Sequence, residues 1–366
     1  MNTPAPVEER TSHPYLTYDM IKDIPRGFRS TLRTVADFRA ESPKPDELVF
    51  TGNGTAYYSA VMGSQILNLS SMDYRAEGGF EITNYGRAQR KDRSRVVFGV
   101  SHSGITKSTI EALAKEKSQG SKTIGITHFA DRPISKIADR TLVIGDGPDK
   151  SRCHTKAYTN SAVAVFGLSL DFVGPLSDEL IGVRKYFETR LADEIESTIS
   201  RMEAPARKAA HDLKNVSKIL LAGAGPNQVT AREAALKNKE ASYISAEGME
   251  LEEMLHGPAM SFNDRTLVVA IAPSGPSVER TRDLISASKK IGASTISVSD
   301  VGDLGTDYEF KINQSHEYIS PFLSIIPVYL FSYFFAVENG KNPDYIHYTD
   351  QTYWDARTII FPPGTH

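Results

Sequence analysis

A single cysteine, Cys153, in 366 residues excludes an intrachain disulfide and any cysteine-rich metal site, and suits a reducing compartment. Neither sign of charge dominates: 42 Lys and Arg face 45 Asp and Glu. A formal net charge of −3 leaves no global positive field, so neither nucleic acid nor an anionic membrane is expected as a partner. The opening MNTPAPVEER has no apolar core, and no signal peptide is expected there. Long apolar runs are nearly absent. The one exception, Tyr318 to Val337, carries Ser320, Ser324, Ser332, Pro321 and Pro327, and reads as a buried core or subunit-interface helix rather than a membrane span. What remains is the composition of a folded soluble protein, 40% hydrophobic and 24% charged, at a length that suggests two domains and, here, a cytoplasmic location.

The chain repeats itself. LVFTGNGTAYYSA near residue 48 parallels ILLAGAGPNQVTA near residue 219, so Gly52 and Gly54 correspond to Gly223 and Gly225 at an offset of 171. VVFGVSHSG and LVVAIAPSG keep the same offset at Ser103-Gly104 and Ser274-Gly275. KTIGIT (122–127) then matches STISVS (294–299), and ADRTLVI matches TDYEFKI. Four matches in one order indicate duplication. Each apolar run is followed by a helical stretch, and both STIEALAKEKSQG and SVERTRDLISASKKIG end on glycine. That alternation implies a parallel sheet with helices on both faces, a three-layer α/β/α, flavodoxin-like domain in two tandem copies. The division is placed at 1–200 and 201–366, with a charged helical segment, Leu191 to Asn215, joining the halves.

Ligands of such sheets sit beyond the carboxyl ends of the strands. There the first copy has Ser101-His102-Ser103-Gly104-Ile105-Thr106: three hydroxyls, a glycine, and N–H groups at a helix start. These are the parts of an anion site, although serine and threonine are also ordinary N-caps. The Gly52/Gly54 turn suggests dinucleotide binding less well, because Tyr57 stands where a third glycine would be. In the second copy Pro273 and Pro276 remove donors, so the first copy is expected to hold phosphate and the second to supply reactive groups.

Taken together, GNGTAYYSA, SHSGITKST, HTKAYT, AALKNKEASYISAEG and EEMLHGPAM resemble the double sugar-isomerase-domain (SIS) family, in particular the isomerase half of glucosamine-6-phosphate synthase and its stand-alone relatives. The resemblance covers about Tyr18 to Asp344. It implies phosphate contacts from Ser101, His102, Ser103 and Thr106, with His102 where the family often has glutamine, and a first turn at Gly54 and Thr55. It implies that His154, Thr155 and Lys156 border the sugar hydroxyls. It implies a catalytic glutamate at Glu240, its helical neighbour at Lys237, and a ring-opening histidine at His256 that reaches across a homodimer interface into a shared active site. Two departures stand out. No glutaminase domain or N-terminal nucleophilic cysteine is present in this sequence, so glutamine-dependent amination is not expected. The tail YTDQTYWDARTIIFPPGTH also lacks the family's closing Ala-Lys segment.

The residues suit proton chemistry on a phosphorylated hexose or amino-hexose. Lys237 and Glu240 are three apart on a helical stretch and share a face. Such a pair is ordinarily surface electrostatics, but this one follows the second Gly-x-Gly turn. A histidine can both give and take a proton, so His256 suits ring opening; Glu240 suits proton transfer between C1 and C2; Lys237 suits charge developing on an oxygen. No redox cofactor or metal is required. Deamination of glucosamine 6-phosphate is the leading reading, beside fructosamine-6-phosphate deglycation and aldose–ketose isomerisation. A sensor without turnover is disfavoured because no helix-turn-helix pattern precedes the first strand and both catalytic groups are present.

Overall fold

The structure is a computed structural model that describes residues 10–39, 45–86, 93–174 and 177–362. The opening MNTPAPVEE and the final PGTH of the tail lie outside the described residues. Among the described residues ten strands form two five-stranded sheets. The first holds β1 (Glu47–Gly52), β2 (Asp73–Gly78), β3 (Arg95–Val100), β4 (Lys122–Thr127) and β5 (Arg140–Val143). The second holds β6 (Lys218–Gly223), β7 (Ser245–Glu250), β8 (Thr266–Ile271), β9 (Ser294–Ser299) and β10 (Tyr308–Lys311). Every pairing is parallel. The orders β2-β1-β3-β4-β5 and β7-β6-β8-β9-β10 are one topology, the doubly wound order in which the switch point lies between the first and third strands of each sheet.

Strand residues alternate faces, which sets the layers. Val49 and Val97 join Ile82, Ala112, Leu113 and Ile134 in one cluster. One residue on, Phe50 and Phe98 point the other way and stack with ring centroids 5.0 Å apart. Helices Thr55–Ser64 and Lys156–Leu170 pack together in this unit, and every residue of the second is buried.

The repeat extends to the helix ends. Gly120 and Gly292, with φ of 96° and 97°, follow helices Lys107–Ser118 and Val278–Ile291. In each case the glycine N–H reaches back three residues, to Lys117 O and Lys289 O. The next N–H, of Ser121 or Ala293, reaches back five, to Glu116 O and Ser288 O. Both are Schellman caps, and only glycine adopts that backbone without strain.

The edge strands β2 and β7 escape the apolar-run reading because DYRAEG and SAEGME are polar and mostly half-exposed, each paired on one side only. Segment 191–215 is a helix from Leu191 to Asp212, and a cut at 200/201 lies inside it. Two compact units divide the chain otherwise. One comprises Ile24–Pro148, Lys156–Ala192 and His347–His366 and carries the first sheet. The other comprises Met1–Asp23 (described from Arg10), Asp149–Thr155 and Asp193–Ile346 and carries the second. In the latter, Ser320–Glu338 is the one helix among the described residues long and apolar enough to cross a membrane. It is buried from Ser320 to Ala336 and packs on helix Asn227–Ser242, as a core helix does. The aromatic tail forms helix Gln351–Ile360, none of whose residues is buried.

Candidate active site

In the first unit, β1 and β3 are neighbours, so the loops that leave them meet at the switch point. Asn53 Nδ2 donates to Ser108 Oγ at 2.9 Å and to Thr109 Oγ1 at 3.0 Å, tying the Gly52–Thr55 turn to the start of helix Lys107–Ser118. Gly54 takes φ 55° immediately before helix Thr55–Ser64. Ser101 is buried, and its Oγ lies 3.0 Å from Thr106 Oγ1 while accepting from Gly104 N at 3.1 Å. Gly104 has φ 68°, and a Cβ there would meet Arg132 Cβ at 2.6 Å. Thr106 occupies the N-cap position, yet its side chain caps nothing. The plain capping explanation of this hydroxyl therefore does not hold. Ser103 Oγ accepts only a long 3.4 Å bond, from Ile105 N of its own loop.

Next in the loop, His102 Nδ1 lies 3.0 Å from Nδ1 of His128, the residue after β4. Burial above all, then the neighbouring His102 and Lys156, push the His128 pKa well below the usual histidine range. Lys156, expected at the sugar hydroxyls, is buried at the start of its helix with Nζ 2.6 Å from Asp146 Oδ1. Sequence reasoning did not single out His128. Its only signal is its place in the repeat, one residue past β4.

The second unit carries the candidate catalytic groups. Helix Asn227–Ser242 follows the Gly223-Ala224-Gly225 turn, as expected. Lys237 is no surface residue: its side chain is 1% exposed, with Nζ 2.5 Å from Glu240 Oε2 and 3.5 Å from Glu233 Oε1. Glu240 keeps 26% of its side chain exposed, whereas Glu233 keeps none. Burial, with Glu240 adding to it against the pull of Lys237, pushes the Glu233 carboxyl up to about 8. Burial alone would strip Lys237 of its proton, but Glu233 and then Glu240 outweigh it and raise its pKa. Tyr329 donates to Glu233 Oε1 at 3.1 Å. Glu233 was also missed, although i and i+4 from Lys237 is the spacing that should have drawn attention to it.

The loop of His154 and Thr155 belongs to this unit. The adjoining Cys153 packs on Ala241, the neighbour of Glu240, and burial raises its thiol pKa well above the usual range. Thr155 is buried and His154 half-buried.

His256 follows the short helix Leu251–Leu255 and is largely exposed, at 72% of its side chain. Its partners are both on Glu252: the carbonyl oxygen at 2.8 Å and Oε2 at 3.5 Å, each from Nδ1. A carbonyl can only accept, so Nδ1 carries the proton and Nε2 is left as the basic nitrogen. His256 lines an open cleft of about 560 Å³ together with Arg232, Glu250 and Glu253; Glu240 is not among its lining residues. Within this unit the helix joins Lys237 to Glu240, while both polar contacts of His256 go to Glu252.

The second copy of the anion loop differs in one decisive respect. Asp300, the counterpart of His128, accepts from Ser274 N at 2.6 Å and also from Ser274 Oγ. The loop that matches the phosphate loop is thus already filled by the chain's own carboxylate. Glu317 likewise stands against Gly225, 2.9 Å from where a Cβ would lie.

Two parallel sheets of one topology with switch-point loops of this kind define a class, and the SIS domain family model matches residues 44–166 and 212–338. The chain belongs to the SIS domain family. A glutamine–fructose-6-phosphate aminotransferase (isomerizing) of Thermococcus kodakarensis is 30% identical over 337 residues, 88% of this chain and 54% of that protein. The chain thus spans about half the length of the curated relatives it matches. Among solved structures, the C-terminal domain of the glucosamine-fructose-6-phosphate aminotransferase of Francisella tularensis superposes with a TM-score of 0.82 at 19% identity, covering 91% of this chain and 98% of that one. A glucosamine-6-phosphate deaminase of Thermotoga maritima gives 0.72 at 22% identity, covering 90% and 97%. These likenesses establish the fold as two tandem SIS domains.

Proposed function

We propose that the chain is a sugar-phosphate deaminase/isomerase that converts glucosamine 6-phosphate and water to fructose 6-phosphate and ammonia. The observation that carries this reading is the buried Lys237, held between Glu233 and Glu240 at the end of a switch-point helix. A lysine fully buried between two glutamate side chains is costly to maintain for stability alone, and such groups concentrate where chemistry is done. The names of the relatives, aminotransferases and a deaminase of amino-sugar phosphates, favour the same substrate class.

In this reading Ser101, Ser103 and Thr106, with His102 and the turn at Gly54 and Thr55, take the 6-phosphate. His154, Thr155 and Lys156 border the sugar hydroxyls. His256, basic at Nε2, moves the proton between anomeric hydroxyl and ring oxygen that opens the ring. It acts from the second subunit of a homodimer, which suits its exposure. Glu240 then removes the C2 proton, and the electron pair forms the C1–C2 double bond of an enolamine while the aldehyde oxygen becomes the enol. Lys237 holds the Glu240 carboxylate in place and offsets charge developing on O1. Return of the proton to C1 gives the C2 imine, which water hydrolyses to the ketose and ammonia. Water is the only co-reactant, so no glutamine is needed.

The test is turnover by the purified chain. Ammonia released from glucosamine 6-phosphate, and abolished in Glu240→Gln, supports the proposal. Amino acid released from a fructosamine 6-phosphate, or aldose–ketose exchange without ammonia, would replace it with the deglycase or isomerase reading. No turnover of any of the three would leave a binding protein.

A further inference from the structure

We propose that Arg132, held beside the loop by Gly104 and Phe129, is the cation that pairs with a phosphate group seated on Ser101–Thr106. The proposal rests on the phosphate reading of that loop and adds the countercharge that its hydroxyls lack.

The second copy shows what a loop of this shape does with an anion. There Ser274 N donates to Asp300 Oδ1 at 2.6 Å, and Ser274 Oγ donates to Oδ2 of the same carboxylate. The counterparts in the first copy are Ser103 and His128, so the residue after β4 brings no acid to the loop. In the phosphate reading an outside anion takes that place. A phosphate monoester carries about −1.5 to −2 charge at neutral pH, more than one carboxylate does. Hydroxyls and N–H groups can bond to its oxygens, but they cannot neutralise it.

Two nearby lysines are already engaged. Lys107, at the helix start, lies 3.6 Å from Glu111 Oε1, and Lys156 Nζ lies 2.6 Å from Asp146 Oδ1. The exposed Arg132 side chain makes neither an ion pair nor a hydrogen bond among the described residues. Its guanidinium carbon sits 4.8 Å from the centre of the Phe129 ring, and that ring meets His102 edge-on with centroids 6.0 Å apart. Its stem packs on the loop: a Cβ at Gly104 would meet Arg132 Cβ at 2.6 Å and Cγ at 3.1 Å. Backbone bonds fix this contact, from Ile134 N to Gly104 O at 3.0 Å and from His128 N to His102 O at 3.2 Å. The head group is thus kept within one side-chain length of Ser103. A guanidinium resting on a ring face keeps its N–H fork for a pair of oxygens, which a phosphate offers. In the second copy Leu304 stands in place of Arg132 and Val301 in place of Phe129, and the leucine is buried with Ala270, Ala272 and Ile285. The copy whose loop holds its own acid has no cation here; the copy without that acid has one.

Calorimetry of the full chain with inorganic phosphate and with glucosamine 6-phosphate tests this. Arg132→Leu, which installs the residue of the second copy, should weaken both about tenfold, the loss of one charge-assisted hydrogen bond. Arg132→Lys keeps the charge without the fork and should stay within about threefold of the wild type, whereas Arg132→Glu should lose more than the leucine variant. The loss in Arg132→Leu should shrink at high ionic strength, where an exposed pair is screened, while its thermal midpoint stays with the wild type. Unchanged affinity in Arg132→Leu, or the same loss at low and high salt, would overturn the proposal. If Arg132→Leu does not fold, the lysine and glutamate variants decide by the same salt comparison. Ser103→Asp is the control for the underlying reading. Weakened phosphate binding there beside wild-type binding in Arg132→Leu would refute the arginine alone. Unaltered binding in both variants would refute the loop as a phosphate site, and a wild type that binds neither ligand would refute loop and arginine together.

Discussion

The two halves of this chain share one topology and one set of helix caps, yet their switch-point loops have taken opposite courses. In the first, a serine hydroxyl, Ser103, is held only by a long bond within its own loop, and the residue after β4 is an imidazole. In the second, Ser274 is bound through both N and Oγ by Asp300, the residue after β9. One fold thus places an imidazole beside this loop in one copy and fills the loop with an internal carboxylate in the other. The second copy instead carries buried charge one turn from the end of its switch-point helix, where Lys237 lies between Glu233 and Glu240. The difference teaches that a duplicated fold divides labour by changing single residues at equivalent positions, not by changing architecture.

The largest expected effect separates chemistry from binding. Glu240→Gln should lower ammonia release by about 10² to 10⁴-fold, the usual worth of a general base, with calorimetric affinity for glucosamine 6-phosphate little changed. Next comes a transplant between copies. His128→Asp installs in the first loop the acid of the second, and like charge beside the phosphate should weaken inorganic phosphate about 100-fold, equivalent to ~2.7 kcal/mol. Unaltered affinity would break the comparison.

Serine deletions should sharpen it. Ser103→Ala should weaken phosphate about tenfold, whereas Ser274→Ala should leave phosphate binding alone and lower stability by ~1 kcal/mol in denaturant melts, because Asp300 loses a partner.

The smallest effect is a slope. Glu233 titrates at about 8 in the fold against an ordinary value of 4.5. The folded chain holds a proton that the unfolded chain releases, so this contribution is fully present below the ordinary value and is lost as pH rises through about 8. Thermal midpoints of the wild type should therefore fall more steeply between pH 5 and pH 8 than those of Glu233→Gln.

Much of this was legible in the residues. Eight strands announce themselves as four matched runs in one order, with an offset that drifts by only a few residues, and β4 and β9 fall on 122–127 and 294–299 as read. β2 and β7 do not, because an edge strand buried on part of one face needs no apolar run. The loop hydroxyls were visible through their place after an apolar run, and the Lys237–Glu240 pair mainly through the family resemblance. Glu233 and His128 were not: sequence periodicity shows which face a residue occupies, but not that a glutamate is wholly buried or that two rings 26 positions apart come within 3.0 Å. The contrast between His128 and Asp300 emerges only when β4 and β9 are superposed and their following residues compared.

A crystal structure of the Glu240→Gln variant with glucosamine 6-phosphate tests the division of labour most directly. The phosphate is expected on the Ser101, Ser103 and Thr106 hydroxyls, with His102 within hydrogen-bond distance of a phosphate oxygen. A phosphate seated instead at the Ser274 loop, or bound away from both loops, would contradict the account.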